Sequence, residues 1–378
     1  MNLLDVIMGS LIFSIPFFIN DVIKLKKPKS VSDNRDLTVQ PLVSIIIPAW
    51  NEEEYIEECI SSVIRQSYDK KEIIVVAGGE DDTFKIAKSF EKHGVKVIKQ
   101  GARGKNAALN KGVRASKGEI IVTLDADCIA PDNWLIELIK PFENENVKVV
   151  TGAWKSKDTS IYAINNEFYQ EVGRILNNKG FWSSNTAFRR EVLEKINFFD
   201  ENIPAGVELD LYLTLRKIIS DKDIVYNKKA FVYTYWPSTF ISFFKTSIRW
   251  ARAQLEIFKK HGLCNFKSFI NPKNYLMSFP FFISAVICLV PVLAIILFYA
   301  SHKLALGLFY FWLFVFSWKT FRITELAILV SIGTRKIYPL IHVYVPLFTS
   351  YVGYITNTIA LIQFLLGKKQ EKIFEHGR

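Results

Sequence analysis

Residues 275–300 (YLMSFPFFISAVICLVPVLAIILFYA) contain no charged side chain, and no other feature restricts the fold of this chain as strongly. A helix of about 20 such residues matches the hydrocarbon thickness of a bilayer, where backbone polar groups must bond within the segment. Part of the chain is therefore expected in lipid. Near the N-terminus, LLDVIMGSLIFSIPFFIN supplies about 18 residues, or about 27 Å of helix. No basic stretch precedes it and no small-residue cleavage site follows, so an uncleaved anchor fits better than a signal peptide. Lys24, Lys26, Lys27 and Lys29 come next, and the positive-inside tendency puts the domain that follows in the cytosol. Residues 304–318 suit a hairpin partner for 275–300. Residues 338–366 suit one tilted span, or two half-spans around Gly353. Between them, 320–336 carries Arg322, Glu325, Arg335 and Lys336 and reads as an interfacial helix. Three crossings after a cytosolic domain would leave Lys368, Lys369 and Lys372 outside, against the charge rule. The sequence leaves the crossing count open.

Residues 40–270 have a different character, with charge scattered through short apolar runs. Val43–Pro48, Ile73–Val76, Val95–Lys99 and Ile120–Leu124 read as strands. Helical segments begin after Asn51-Glu52-Glu53, at Asp82 and at Gly104. Continuous β-branched strands separated by helices predict an α/β domain with a mostly parallel sheet covered on both faces. Such sheets bind ligands at the carboxyl ends of their strands. The layout expected is an anchor at 1–22, a basic tether at 23–40 and a catalytic domain at 41–237. An amphipathic interfacial region at 238–274, transmembrane and interfacial helices at 275–367, and a basic tail at 368–378 complete it.

Cys59, Cys128, Cys264 and Cys288 show no paired spacing, which fits a reducing compartment and tells against structural zinc. The net charge of +11 suits polyanionic partners such as nucleotide diphosphates or anionic lipid. The basic residues form no nucleic-acid motif, so a nucleic-acid partner is not expected.

Two motifs carry candidate chemistry. Asp125-Ala126-Asp127 follows the apolar strand EIIVTL, and a turn there would let both carboxylates meet one ligand. Hard oxygens of this kind suit Mg²⁺ or Mn²⁺ bridging to a diphosphate. Solvated turn aspartates are the plainer reading. Arg103-Gly104-Lys105 opens the preceding helix, where free amides and the helix dipole favour an anion. It is not a P-loop, because no glycine lies five positions earlier and Asn106 stands where Ser or Thr is required.

VSIIIPAWNEEEYIEECISSVIRQS, EIIVVAGGEDDT and RGKNAALNKGVRASKGEIIVTLDAD follow one another in order. NTAFRREVLEKINFFD, GVELDLYLTLR and IRW continue the series. The set resembles the inverting family 2 glycosyltransferases of GT-A fold, and the flanking apolar segments resemble their membrane-bound members, including polysaccharide synthases and ceramide glucosyltransferase. The resemblance implies that Pro48, Trp50 and Glu52 border the nucleobase, and that Asp82 belongs to the second strand-end motif. It puts Arg103 and Lys105 near the diphosphate, Asp125 near the ribose or sugar, and Asp127 on the metal. Arg249 and Trp250 would close over the diphosphate and the acceptor. Three positions depart from the pattern. Ala77-Gly78 stand where many members have two aspartates, Thr246 stands where glutamine opens the Q-x-x-R-W motif, and Glu208 replaces the usual aspartate base. An inverting transfer needs one carboxylate to take the acceptor proton. Glu208 and Asp210 are two apart on a helix and face apart, so only one is expected in the cleft. Trp182, beside Ser183 and Ser184, suits either sugar stacking or burial.

The function implied is transfer of a sugar from a nucleotide-diphosphate donor to a membrane-associated acceptor, with a lipid or lipid-linked glycan favoured, in a prokaryotic plasma membrane. Processive polysaccharide synthesis is the alternative. A permease with a regulatory domain is the competitor from another class, and the absence of intramembrane charge pairs from the C-terminal spans tells against it.

Overall fold

The computed structural model describes residues 3–24, 40–101, 104–175, 184–203, 205–236, 239–262, 272–298, 301–334 and 337–368. Arg103, Trp182, most of the basic tether and the tail beyond Lys368 lie outside them. The chain divides into two compact units, one within residues 32–159 and 179–236, the other within 1–31, 160–178 and 237–369.

In the first unit the strands are β1 (Val43–Trp50), β2 (Lys71–Gly78), β3 (Lys96–Lys99), β4 (Ile120–Thr123), β5 (Val149–Ser156), β6 (Thr186–Arg189) and β7 (Ile224–Thr234). They form one sheet in the order β3-β2-β1-β4-β6-β5-β7. Only β6 is antiparallel to its neighbours β4 and β5. The helices here are α2 (Ile56–Ile64), α3 (Thr83–Ser89), α4 (Lys105–Arg114), α5 (Trp134–Ile139), α7 (Arg190–Lys195) and α8 (Val207–Leu215).

The expectation of a sheet buried on both faces holds, and β1 shows why. Side chains alternate along a strand, so Ile45 and Ile47 pack with Ile56, Ile60 and Trp134. Ile46 points the other way, among Leu109, Val113, Phe188 and Leu211. The middle of the strand therefore has to be apolar on both faces. Gly112 on α4 belongs to the same packing, because a Cβ there would overlap the Ile46 side chain.

The second unit contains α1 (Leu3–Lys24), α6 (Ile161–Ile175), α9 (Phe240–Lys260), α10 (Pro272–Leu297), α11 (His302–Thr334), α12 (Tyr338–Ile341) and α13 (Tyr344–Leu365). Three stretches, Leu3–Ile23, His302–Ile332 and Tyr344–Leu365, are long and apolar enough to cross a membrane, and Ile283–Leu297 is a shorter apolar helix. The Tyr344–Leu365 helix passes Gly353 without a break, as one segment rather than two half-spans.

Two sequence expectations are corrected here. Residues 320–334 are not a separate interfacial helix but continue α11. Charge pairs are also present. Arg322 donates to Asp21 of α1 and to Glu325, each at 2.6 Å, and Ser14 donates to Glu325. Charged side chains in an apolar helix are tolerated when paired, and the pairing lets α11 run on through them. Phe13 and Phe17 of α1 pack their rings on Trp318 beside this cluster, at 5.5 and 6.0 Å. At the far end of α13, Arg252 of α9 is 4% exposed and donates to the Ala360 and Lys368 carbonyls. A cation placed at the carboxyl end of a helix complements its dipole.

Candidate active site

The carboxyl ends of the parallel strands carry the polar residues singled out above. After β4, Leu124 N–H still donates to Ile46 O at 3.1 Å. The backbone then turns, with Cys128 N–H closing on Asp125 O at 3.1 Å. The turn expected at Asp125-Ala126-Asp127 is therefore present. It is held from three sides: Cys59 Sγ lies 3.5 Å from Asp125 O, Asp125 N–H is 3.4 Å from Ser184 Oγ, and Ile129 pairs with Tyr233.

Lys105, the first residue of α4, reaches this turn. Its Nζ lies 2.6 Å from Asp125 Oδ1 and donates to Oδ2 at 2.9 Å. Burial alone would lower the lysine pKa, but the negative charges of Asp125 and Glu208 outweigh it and hold the ammonium above its ordinary value. Glu208 thus acts electrostatically on the same lysine that grips Asp125. It is partly exposed, whereas Asp210, two residues on, is only 5% exposed. Gly206, with φ of 70°, turns the chain into α8 just before them. Asn106 and Asn110 dock α4 by donating to the carbonyls of Asp200 at 2.6 Å and Phe199 at 2.8 Å.

Asp127 is 9% exposed. Thr234 Oγ1, at the end of β7, donates to its Oδ2 at 3.4 Å, and Cys128 Sγ lies 3.5 Å from Oδ1. Both contacts are long, and neither partner carries positive charge. Among the described residues no three His, Cys, Asp or Glu side chains gather to hold a metal by themselves. Mg²⁺ in nucleotide sites is commonly held by one or two carboxylates with phosphate oxygens and water completing the shell. Two hard carboxylates on one turn fit that pattern.

The other residues named from the resemblance lie on β1 and on the loops after β1 and β2. Trp50 stands opposite Gly78 in the register, and a Cβ on Gly78 would press on the Trp50 ring and on Gln100. The small residue at 78 thus lets the indole and Gln100 close over the strand end. Pro48 lies within β1. Glu52 is buried, and its N–H donates to Thr83 Oγ1 at 2.6 Å. Asp82 precedes α3, 60% exposed and 3.2 Å from Lys85. Its neighbour Asp81 instead ties the two loops together, accepting from Glu53 N–H at 3.1 Å and Thr83 N–H at 3.0 Å. Arg249 and Trp250 are on α9 of the second unit, where Trp250 is 42% exposed.

Sequence reasoning did not connect Thr234, Ser184, Cys59 or Cys128 with the aspartate turn that they support. Only the polar end of the apolar strand FVYT hinted at Thr234. The thiols of Cys59 and Cys128 are pushed up by burial first and by the Asp125 charge next. They are protonated props, not ligands.

A sheet of this order, with an acidic turn after β4 and a lysine opening the preceding helix, defines a GT-A-like glycosyltransferase fold. Residues 44–197 match the family model "Glycosyl transferase family 2". Over that segment the chain therefore resembles a family 2 glycosyltransferase domain. It is 27% identical to a poly-beta-1,6-N-acetyl-D-glucosamine synthase of Staphylococcus epidermidis, across 71% of this chain and 70% of that protein. It is 26% identical to the glycosyltransferase GlyG of Streptococcus pneumoniae serotype 4, across 58% of this chain and 79% of that one. Among solved structures, the mannosyltransferase PcManGT from Pyrobaculum calidifontis, in complex with GDP-Man and Mn2+, shares the fold. Its TM-score is 0.61 at 19% identity, covering 97% of this chain and 98% of that one.

Proposed function

We propose that the protein moves a sugar, with inversion, from a nucleotide-diphosphate donor to a membrane-associated acceptor, a lipid or lipid-linked glycan. The observation that carries this reading is the convergence of Asp125, Lys105 and Glu208 at the strand ends. The nucleoside lies against Trp50, Pro48 and Glu52, with Asp82 on the neighbouring loop. The diphosphate lies at Lys105 and the start of α4, where a cation and free amides favour an anion. Arg103, Arg249 and Trp250 are assigned to the same donor by resemblance alone. Asp127, with Asp125, would hold Mg²⁺ or Mn²⁺, and the mannosyltransferase of like fold was solved with Mn2+ and GDP-Man. When bound, the cation supplies charge neutralisation for the departing diphosphate.

Glu208 takes the acceptor hydroxyl proton as that oxygen attacks the anomeric carbon. The bond from that carbon to the diphosphate oxygen breaks, and the nucleoside diphosphate leaves with the electron pair. Lys105 stabilises the charge left on it. Asp210 is the alternative base. Its deeper burial favours a supporting role.

The expected setting is a prokaryotic plasma membrane with the catalytic domain in the cytosol, 41–237 being its proposed span. The relatives named as polysaccharide synthases favour a second reading, in which the acceptor is a growing polysaccharide. One assay addresses both. Membranes containing the protein are incubated with a panel of labelled nucleotide sugars and Mn²⁺ or Mg²⁺, and label is sorted into organic-soluble and high-molecular-weight fractions. Organic-soluble product supports the lipid-linked acceptor, and polymer supports the synthase. Asp127→Asn is expected to abolish either product. No transfer from any nucleotide sugar, or full activity in Asp127→Asn, refutes the reading.

A further inference from the structure

The hydroxyl that donates to Asp127 belongs to the last residue of β7, and the chain leaves that strand through two aromatic residues. Tyr235 packs its ring on Tyr55, with centroids 4.8 Å apart and planes at 42°. Trp236 meets Trp154 edge-on at 6.0 Å. None of these four side chains is buried to the degree of the core, and each keeps part of its surface open.

Charged groups surround the rings. Lys157 Nζ lies 3.0 Å from Glu58 Oε1, and Lys157 N–H donates to Thr234 O at 3.0 Å. Asp158 Oδ2 accepts from Trp236 N–H at 3.3 Å. The indole Nε1 of Trp236 is enclosed and has no acceptor.

Half-open aromatic faces rimmed by carboxylates and an ammonium match one kind of ligand. A pyranose has an apolar C–H face that lies on an aromatic ring and a rim of hydroxyls that bond to polar side chains. The donor reaches the site through its diphosphate, which Lys105 attracts. A neutral acceptor sugar has no such handle, so stacking and hydroxyl contacts must hold it. We propose that Tyr55, Tyr235 and Trp236, with Glu58, Lys157 and Asp158, form a subsite for a pyranose ring of a glycan acceptor beside Asp127. The proposal rests on the glycosyltransferase reading above and narrows its acceptor to one that bears sugar.

The test uses the full chain in detergent with whichever labelled nucleotide sugar supports transfer. N-acetylglucosamine oligomers and glucose oligomers of matched lengths serve as acceptor probes. Tyr235→Ala and Trp236→Ala should each raise the acceptor KM by about tenfold, the effect of losing one stacked ring. The donor KM should stay within about twofold, less than 1 kcal/mol at the tenfold-per-1.4 kcal/mol conversion. Tyr235→Phe and Trp236→Phe, which keep a ring, should restore the acceptor KM. A rise in donor KM instead would assign the rings to the donor sugar and overturn the proposal. So would a lowered melting temperature with acceptor KM unchanged. Transfer by the wild type into an organic-soluble product, with neither oligomer series accepting or competing, also overturns the subsite while glycosyltransferase activity stands. Failure of transfer from every nucleotide sugar would instead remove the reading on which the subsite rests.

Discussion

Lys105 Nζ and Asp125 Oδ1 are 2.6 Å apart, joining the first residue of α4 to the turn after β4 across 20 positions of sequence. The pair has a chemical consequence. A lysine beside two carboxylates stays protonated to higher pH than a free one, and here Asp125 and Glu208 raise its pKa despite burial. A raised lysine pKa makes the ion pair complete below the ordinary value of about 10.4 and lost only as pH rises through the higher one. Donor affinity, followed by titration with nucleoside diphosphate, should therefore show no lysine-linked loss between about pH 7 and 10. A decline through that window would show that Lys105 is not held by Asp125.

Removing the ammonium tests the same contact directly. Lys105→Met keeps the length of the side chain and deletes its charge. Transition-state stabilisation of a leaving diphosphate by one donor is worth about 10²–10³ in rate, and kcat for sugar transfer should fall on that scale. Lys105→Arg should recover part of it. Equal rates in wild type and Lys105→Met would place the leaving group elsewhere.

Glu208 and Asp210 make separable predictions. Glu208→Gln removes a general base and should lower kcat by about 10²–10⁴-fold, leaving nucleoside diphosphate affinity unchanged. Asp210→Asn keeps the shape of a buried side chain and should show its main effect in the thermal melt. If the kinetic loss follows Asp210 and not Glu208, the assignment is reversed.

These four residues also show what could be read without coordinates. β1, β2 and β4 were legible because a strand buried on both faces carries a continuous apolar run, as Ile45–Ile47, Ile73–Val76 and Ile120–Val122 do. The aspartate turn followed, since polar residues after such strands point out of the sheet. β6 was not legible. Thr186–Arg189 is short, and it enters the sheet antiparallel because of its neighbours β4 and β5, not because of its own pattern. The support of Asp127 by Thr234 spans 107 positions and has no local signature. The interfacial reading of 320–334 failed for the same reason. Arg322 and Glu325 looked too polar for a crossing because Asp21, which pairs with Arg322, is 301 residues away.

Cys59 and Cys128 should resist alkylation in the folded protein. Burial and the nearby Asp125 charge keep both thiols protonated, and the thiolate is the reactive form. Iodoacetamide at pH 8 should label neither by mass spectrometry until denaturant is added. Rapid labelling of the native protein would mean that the turn at Asp125 opens to solvent.

Gly152 tests the support behind β5. An added Cβ would overlap the Ala230 carbonyl oxygen and the Asn185 amide. That amide accepts from Trp134 Nε1 at 2.7 Å and donates to Ala153 O at 2.7 Å. Overpacking together with displaced buried hydrogen bonds costs about 2–4 kcal/mol, so Gly152→Ala should lower the unfolding midpoint of the purified chain. An unchanged midpoint would show that Asn185 can move aside freely.

The link between Asp21 and Arg322 reaches beyond the finished protein. Ribosomes make the acid 301 residues before this basic partner, so the first apolar helix is without that contact through most of translation. Its final seating must wait for α11. A chain interrupted before Arg322 would hold a helix able to enter a bilayer but lacking the contact that ties it to α11.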